Sequence, residues 1–176
     1  NSISVKNKGK GMLFVRVIRQ GIPAAGEETN SSENLGISVN YKTMSGGDIN
    51  VNEIQQGTDF IAEVSISNQY ARGYLSNLAL SQIFPSGWEI HNTRMDDNTL
   101  GLQRNDLPTY QDIRDDRILS YFDLGSDRKK TFRVVLNAAY SGRFYLPGIK
   151  AEAMYNSNIY ASRKGMWVEV SKNRQS

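Results

Sequence analysis

Cysteine is absent from all 176 residues. That excludes disulfides, thiolate metal sites and a cysteine nucleophile together, and it leaves the redox compartment open because many exported domains lack cysteine as well. Histidine is nearly absent: His91 is the only one, so a Ser-His-Asp triad would have to use it, and no nucleophile elbow stands nearby. Beside Ile90 at the end of an expected strand, it reads as structural or solvent-facing. One histidine leaves a metal only carboxylates, and Asp96-Asp97-Asn98 lacks the other ligands of a calcium loop, so neither metal nor cofactor is expected. No apolar run approaches the roughly 18 to 20 residues a membrane helix needs, so this domain is not expected to insert in a membrane. There is no one-signed charge stripe: 21 Lys and Arg face 18 Asp and Glu for a net charge of +3, which argues against nucleic acid as a partner. Gly46-Gly47 opens no helix and lacks a following Lys-Ser or Lys-Thr, which rules out a phosphate loop of the usual kind.

What is present is alternation. Apolar and polar residues alternate over 12–19, 37–41, 60–67, 75–83, 88–92, 117–124, 130–138, 143–145, 149–155 and 166–170, and each run reads as a short strand. In the third, Phe60, Ala62, Val64 and Ile66 share one face, while Ile61, Glu63 and Ser65 share the other. Turn chemistry separates the runs at Ser45-Gly46-Gly47-Asp48, Pro85-Ser86-Gly87, Gly125-Ser126-Asp127 and Pro147-Gly148. Helical spacing is almost missing. The expected fold is all-β, an antiparallel two-sheet β-sandwich with long polar loops at 21–34 and 92–108 that contain no strand. The length suits a single domain over 1–176, with 1–10 as a flexible N-terminal segment. The chain does not start with Met and reads as a fragment of a larger protein.

Two chemical readings compete at the densest charges, Asp112-Ile113-Arg114-Asp115-Asp116-Arg117. Paired carboxylates could serve acid–base work, but interleaved opposite charges more often neutralise one another, which makes a structural cluster at a loop-to-strand junction, or a domain interface, the expected role. The nine tyrosines fall mostly in or beside strands. They could form a sugar- or base-stacking platform, although β-propensity and core filling account for them more simply.

Several segments carry a resemblance to a known family. Residues 77–90, with Phe84-Pro85-Ser86-Gly87-Trp88-Glu89-Ile90, are similar to a strand, Pro-x-Gly turn and aromatic-Glu-aliphatic step in the last domain of bacterial alpha-2-macroglobulins. Residues 110–122, with Arg114-Asp115-Asp116-Arg117, resemble that domain's next segment. The most specific stretch is 142–155, ending Glu152-Ala153-Met154-Tyr155 and followed by Ile159, Arg163, Gly165 and Val168-Glu169-Val170. It resembles the family's final hairpin. Gly11-Met12-Leu13-Phe14-Val15 with Gly21-Ile22-Pro23 matches how that domain begins.

The resemblance implies a macroglobulin-like, receptor-binding-like domain of a large exported inhibitor. In that family a protease cuts a bait region, the inhibitor changes conformation and the protease is trapped. Many members hold a Cys–Gln thioester that captures amines, and some lack the thioester cysteine. The implied partners are other domains of the parent chain and, indirectly, the trapped proteases. The implied location is the periplasm or outer cell surface, with any lipoprotein anchor outside this chain. In this family a loop bearing a Met-Tyr pair shields the thioester from water, and Met154 and Tyr155 match it residue for residue. As part of such an inhibitor, the domain is expected to be non-catalytic. Two readings from other classes stay open: a cell-surface adhesion or stalk domain, and a carbohydrate-binding accessory module.

Overall fold

The central runs form strands because their alternation buries one side of each. A computed structural model describes residues 3–17, 24–70, 73–91, 106–126 and 128–172. Within them lie thirteen strands: β1 (Ser31–Glu33), β2 (Leu35–Thr43), β3 (Glu53–Gln55), β4 (Asp59–Asn68), β5 (Leu75–Ile83), β6 (Glu89–Ile90), β7 (Tyr110–Ile113), β8 (Arg117–Leu124), β9 (Lys129–Asn137), β10 (Gly142–Leu146), β11 (Ile149–Ala153), β12 (Asn156–Arg163) and β13 (Met166–Ser171). No helix occurs among the described residues.

The strands make three hydrogen-bonded sheets, one more than the expected two. They are a six-stranded sheet β1-β12-β11-β5-β8-β7, a four-stranded sheet β2-β4-β9-β6 and a three-stranded sheet β10-β13-β3. All pairs are antiparallel except β13 with β3. The four-stranded sheet serves two cores. Leu35, Val64, Ile66 and Phe132 pack against Leu78, Leu80, Phe122, Ile149 and Ala161 of the six-stranded sheet. Farther along, Phe60, Ala62, Val134 and Leu136 meet Ile54, Leu146, Val168 and Val170 of the three-stranded sheet. The sandwich is therefore preserved, with one of its layers divided into two ladders.

The other side of β4 is also buried. Glu63 accepts a hydrogen bond from Arg133 Nε at 2.7 Å and pairs with Lys42 Nζ at 3.2 Å, bridging β2, β4 and β9. Burial alone would raise its carboxyl pKa, but the hydrogen bonds from Lys42 and Arg133 outweigh that and hold it below the ordinary value.

Two glycines are required by close approach. A Cβ on Gly87 would run into the Phe144 ring, and one on Gly165 would lie 2.5 Å from the Leu146 carbonyl oxygen and against the Tyr145 hydroxyl. These contacts seat the Pro85-Ser86-Gly87 turn and the β12–β13 link on β10.

Several expectations are corrected. Residues 12–17 form no strand, against the strand expected over 12–19; residues 18–19 lie outside the described residues. The reason is that a strand needs an edge to pair with, and this segment meets none among the described residues. The 21–34 loop contains β1, whose Ser31 pairs with Ser162. The run expected over 149–155 ends at Ala153, while Asn156-Ser157-Asn158, turn-like in composition, opens β12. The strand expected over 88–92 shrinks to β6. Of the loop and motif residues named above, Gly21-Ile22-Pro23, residues 92–105 with Asp96-Asp97-Asn98, and Asp127 lie outside the described residues.

Candidate functional site

Strand β11 gains its position by pairing on both sides, with β5 and β12. Ala153 pairs with Asn156, so Met154 and Tyr155 form the two-residue turn of the β11–β12 hairpin. Met154 is 52% exposed and Tyr155 83%. Neither side chain belongs to either core.

Two irregularities hold this turn. On β5 the register shifts between Leu75 and Leu78, and Asn77 takes a left-handed φ of 56°. Asn is among the few side chains that adopt that conformation readily. The Asn77 N–H donates to Asp123 Oδ1 at 2.8 Å, and its carbonyl accepts the Met154 N–H at 2.9 Å. Tyr74 Oη donates to the second Asp123 oxygen at 2.8 Å, and the charged carboxylate raises the pKa of that hydroxyl. On β12 the register shifts after Asn156, whose Oδ1 accepts the Asn158 N–H at 3.1 Å. Asn34, with φ of 58°, donates from its side chain to the Asn158 carbonyl at 2.9 Å. The apolar tip thus stands on a hydrogen-bonded polar base.

Asp123→Ala removes the acceptor for both Asn77 and Tyr74. It should cost about 1–2 kcal/mol in urea unfolding and speed hydrogen exchange at the Met154 amide, while leaving the Arg114 amide unchanged. Unchanged Met154 exchange would show that the bulge does not hold the tip.

The charge cluster lies elsewhere. It occupies the β7–β8 hairpin, where Arg114 Nε donates to Asp112 Oδ2 at 3.0 Å and Arg117 meets both oxygens of Asp116 at 2.9 and 2.8 Å. The bidentate hydrogen bond from Arg117 lowers the Asp116 carboxyl pKa. Asp115 takes part in neither pair. The Arg114 N–H donates to the Arg117 carbonyl at 2.9 Å, and the Phe84 N–H to the Asp116 carbonyl at 2.8 Å, closing the turn against the end of β5. Since Arg117 pairs with Ile83 and Ala153 with Leu78, cluster and tip occupy opposite ends of the six-stranded sheet, roughly 20 Å apart at the usual strand rise.

Among the described residues no catalytic constellation joins them. His91 is exposed and donates its backbone N–H to the Val135 carbonyl at 3.0 Å. The two best-formed clefts, of about 410 and 400 Å³, include neither a carboxylate nor a histidine in their linings. The tyrosines do not gather into one platform. Tyr41 is inside with Phe60 and Trp88, Tyr110 stacks on Tyr121, and Tyr145 lies edge-on to Trp167.

The sequence singles out Met154 and Tyr155 but not the residues that hold their turn, Asn77, Asp123 and Asn34. The signal available was weak: an Asn inside a strand pattern, where a bulge needs positive φ.

Comparison with known proteins bears on this geometry. The family profile described as the bacterial alpha-2-macroglobulin MG10 domain matches residues 35–157. An alpha-2-macroglobulin of Rickettsia conorii is 27% identical over 128 residues, covering 71% of this chain and 7% of the relative. One from Pasteurella multocida is 25% identical over 174 residues, covering 97% of this chain and 9% of the relative. The chain therefore spans less than a tenth of the length of either. Among solved structures, native Escherichia coli alpha-2-macroglobulin from domain MG7 to the C-terminus superposes with a TM-score of 0.72 at 15% identity, covering 85% of this chain and 25% of that one. Salmonella alpha-2-macroglobulin reacted with methylamine gives 0.71 at 18%, covering 84% and 10%. At these identities the superpositions establish the fold.

Proposed function

This chain belongs to the bacterial alpha-2-macroglobulin MG10 domain family, and from that premise we propose that it is a non-catalytic interaction domain whose Met154 and Tyr155 cover the thioester region of its parent. The parent, in this reading, is a protease-trapping inhibitor exported to the periplasm or outer cell surface. The observation that carries the proposal is the exposed apolar turn, braced by hydrogen bonds on both flanks yet covered by neither core. An exposed large apolar group on a rigid support suits a contact made outside the domain.

The chemistry fits the residues. A thioester survives only where water and amines are kept from its acyl carbon. Met supplies a polarizable, shape-adapting surface, and Tyr adds a flat apolar body with one hydrogen-bonding end. Rigid placement matters because a cover that swings aside is no barrier. The charge cluster, at the far end of the sheet, serves in this reading to fix the β7–β8 hairpin.

Hydroxyl-radical footprinting tests the contact. Met154 and Tyr155 should label readily in the 176-residue chain, at least tenfold less in the intact parent, and readily again after the parent has reacted with methylamine. Equal labelling in the isolated chain and the intact parent would reject the cover.

A further inference from the structure

Strand β2 is an edge of the four-stranded sheet, paired only with β4. Beyond its end the Ile49 N–H donates to the Tyr41 carbonyl at 3.1 Å and the Thr43 N–H to the Gly47 carbonyl at 2.7 Å, so the main-chain groups of Tyr41 and Thr43 point away from β4. Alternate residues of a strand aim these groups the same way, which turns those of Ile37 and Val39 outward too. Arg163 Nε caps the Ile37 carbonyl at 3.1 Å. Between the two caps, the Val39 N–H and carbonyl meet no partner among the described residues.

This gap opens on a cleft of about 400 Å³. The cleft lies where the layer opposite β2 divides: its lining takes Ile149 from the six-stranded sheet, Leu146 and Met166 from the three-stranded sheet, and Pro147 from the link between them. Arg163 and Lys164 line it as well, and no carboxylate does. Arg163 is anchored through Nε alone, and its terminal nitrogens find no protein acceptor among the described residues. The Lys164 N–H donates to Asn30 Oδ1 at 2.9 Å, which fixes the base of that side chain. The adjoining cleft shares Asn30, Ser38 and Arg163 and adds Lys129, again without a carboxylate. An unpaired edge, an apolar trough and uncompensated cations therefore coincide.

We propose that the β2 edge binds an extended acidic segment of a separate protein, which pairs its main chain with Val39, rests a side chain against Leu146, Pro147 and Met166, and sets a carboxylate on the Arg163 fork. Main-chain pairing gives the join and the trough reads alternate side chains. The free guanidinium nitrogens suit a carboxylate geometrically, and the cations speed encounter with an acidic partner. With so short an open edge the complex is weak and transient. It depends on no thioester and on no role of Met154 and Tyr155.

Hydrogen exchange and NMR titration of the 176-residue chain with the peptide acetyl-Glu-Val-Glu-Val-Glu-amide decide it. The Val39 amide should exchange within about tenfold of the unprotected rate in the free chain, and at least tenfold more slowly with saturating peptide. N-methylation at both valines or at the central glutamate blocks opposite sides of the peptide, so one of these peptides should lose binding and the other keep it. Arg163→Gln should weaken binding about tenfold, and Lys164→Gln, which leaves the Ile37 cap in place, about threefold. Slow Val39 exchange in the free chain, no slowing with peptide, or equal binding by the two N-methylated peptides would each overturn the proposal. Protection of Val39 in the full-length parent without peptide would overturn it too, since a segment of the parent would then occupy the edge.

Discussion

Phe60→Ala is expected to destabilise the 176-residue chain by about 3–5 kcal/mol, the range for removing a fully buried aromatic side chain. Phe60 has no exposed surface, and its ring meets Trp88 edge-on at a centroid distance of 4.9 Å and Tyr41 at 6.4 Å. Its loss opens a cavity where the four-stranded sheet packs on the three-stranded one, among backbones already paired on both sides. Trp88 should lose its fixed aromatic neighbour, so the near-UV circular dichroism should fall along with the urea midpoint. Phe14→Ala provides the contrast: the same change at a solvent-exposed ring should move the midpoint by less than about 0.5 kcal/mol. A comparable loss at both positions would mean that residues 12–17 pack within this domain after all.

Glu63→Ala should cost about 2–4 kcal/mol, because it leaves the largely buried Arg133 guanidinium without this carboxylate and frees Lys42 from its partner. Lys42 is about a third exposed, so water softens its part of the loss. The sign with pH follows from the lowered folded-state pKa of Glu63. The stabilisation is fully present above the ordinary carboxylate value of 4.5 and disappears as pH falls from there through the folded value. Wild type and Glu63→Ala should therefore converge in stability on acidification. Urea titrations at neutral pH and at successive steps below 4.5 measure this, and a gap that stays constant would contradict the assignment.

The long central strands are legible in the sequence because burial and alternation coincide there. Phe60, Ala62, Val64 and Ile66 report β4 directly, and Phe132, Val134 and Leu136 report β9. Short edge strands bury too little to leave such a record. All three residues of β1 are exposed, and its place comes from pairing with β12, more than a hundred residues away in sequence. The composition of Asn156-Ser157-Asn158 announces a reversal, and the chain uses it for a bulge one step beyond the real turn. Residues 12–17 err in the opposite direction, since an apolar, β-branched run states a capacity to pair and says nothing of where the partner edge lies. At the tip, Met154 and Tyr155 are singled out by residue match alone. Their supports cannot, because Asn77, Asp123 and Asn34 act through hydrogen bonds between segments far apart in sequence.

The central claim, that the tip formed by Met154 and Tyr155 guards a reactive bond, is tested most directly by the rate at which the full-length, thioester-bearing parent incorporates methylamine. Tyr155→Ala should raise that rate about tenfold or more, corresponding to about 1.4 kcal/mol or more of lost barrier, and Asp116→Ala at the far end of the sheet should leave it unchanged. Equal rates for wild type and Tyr155→Ala would contradict the account.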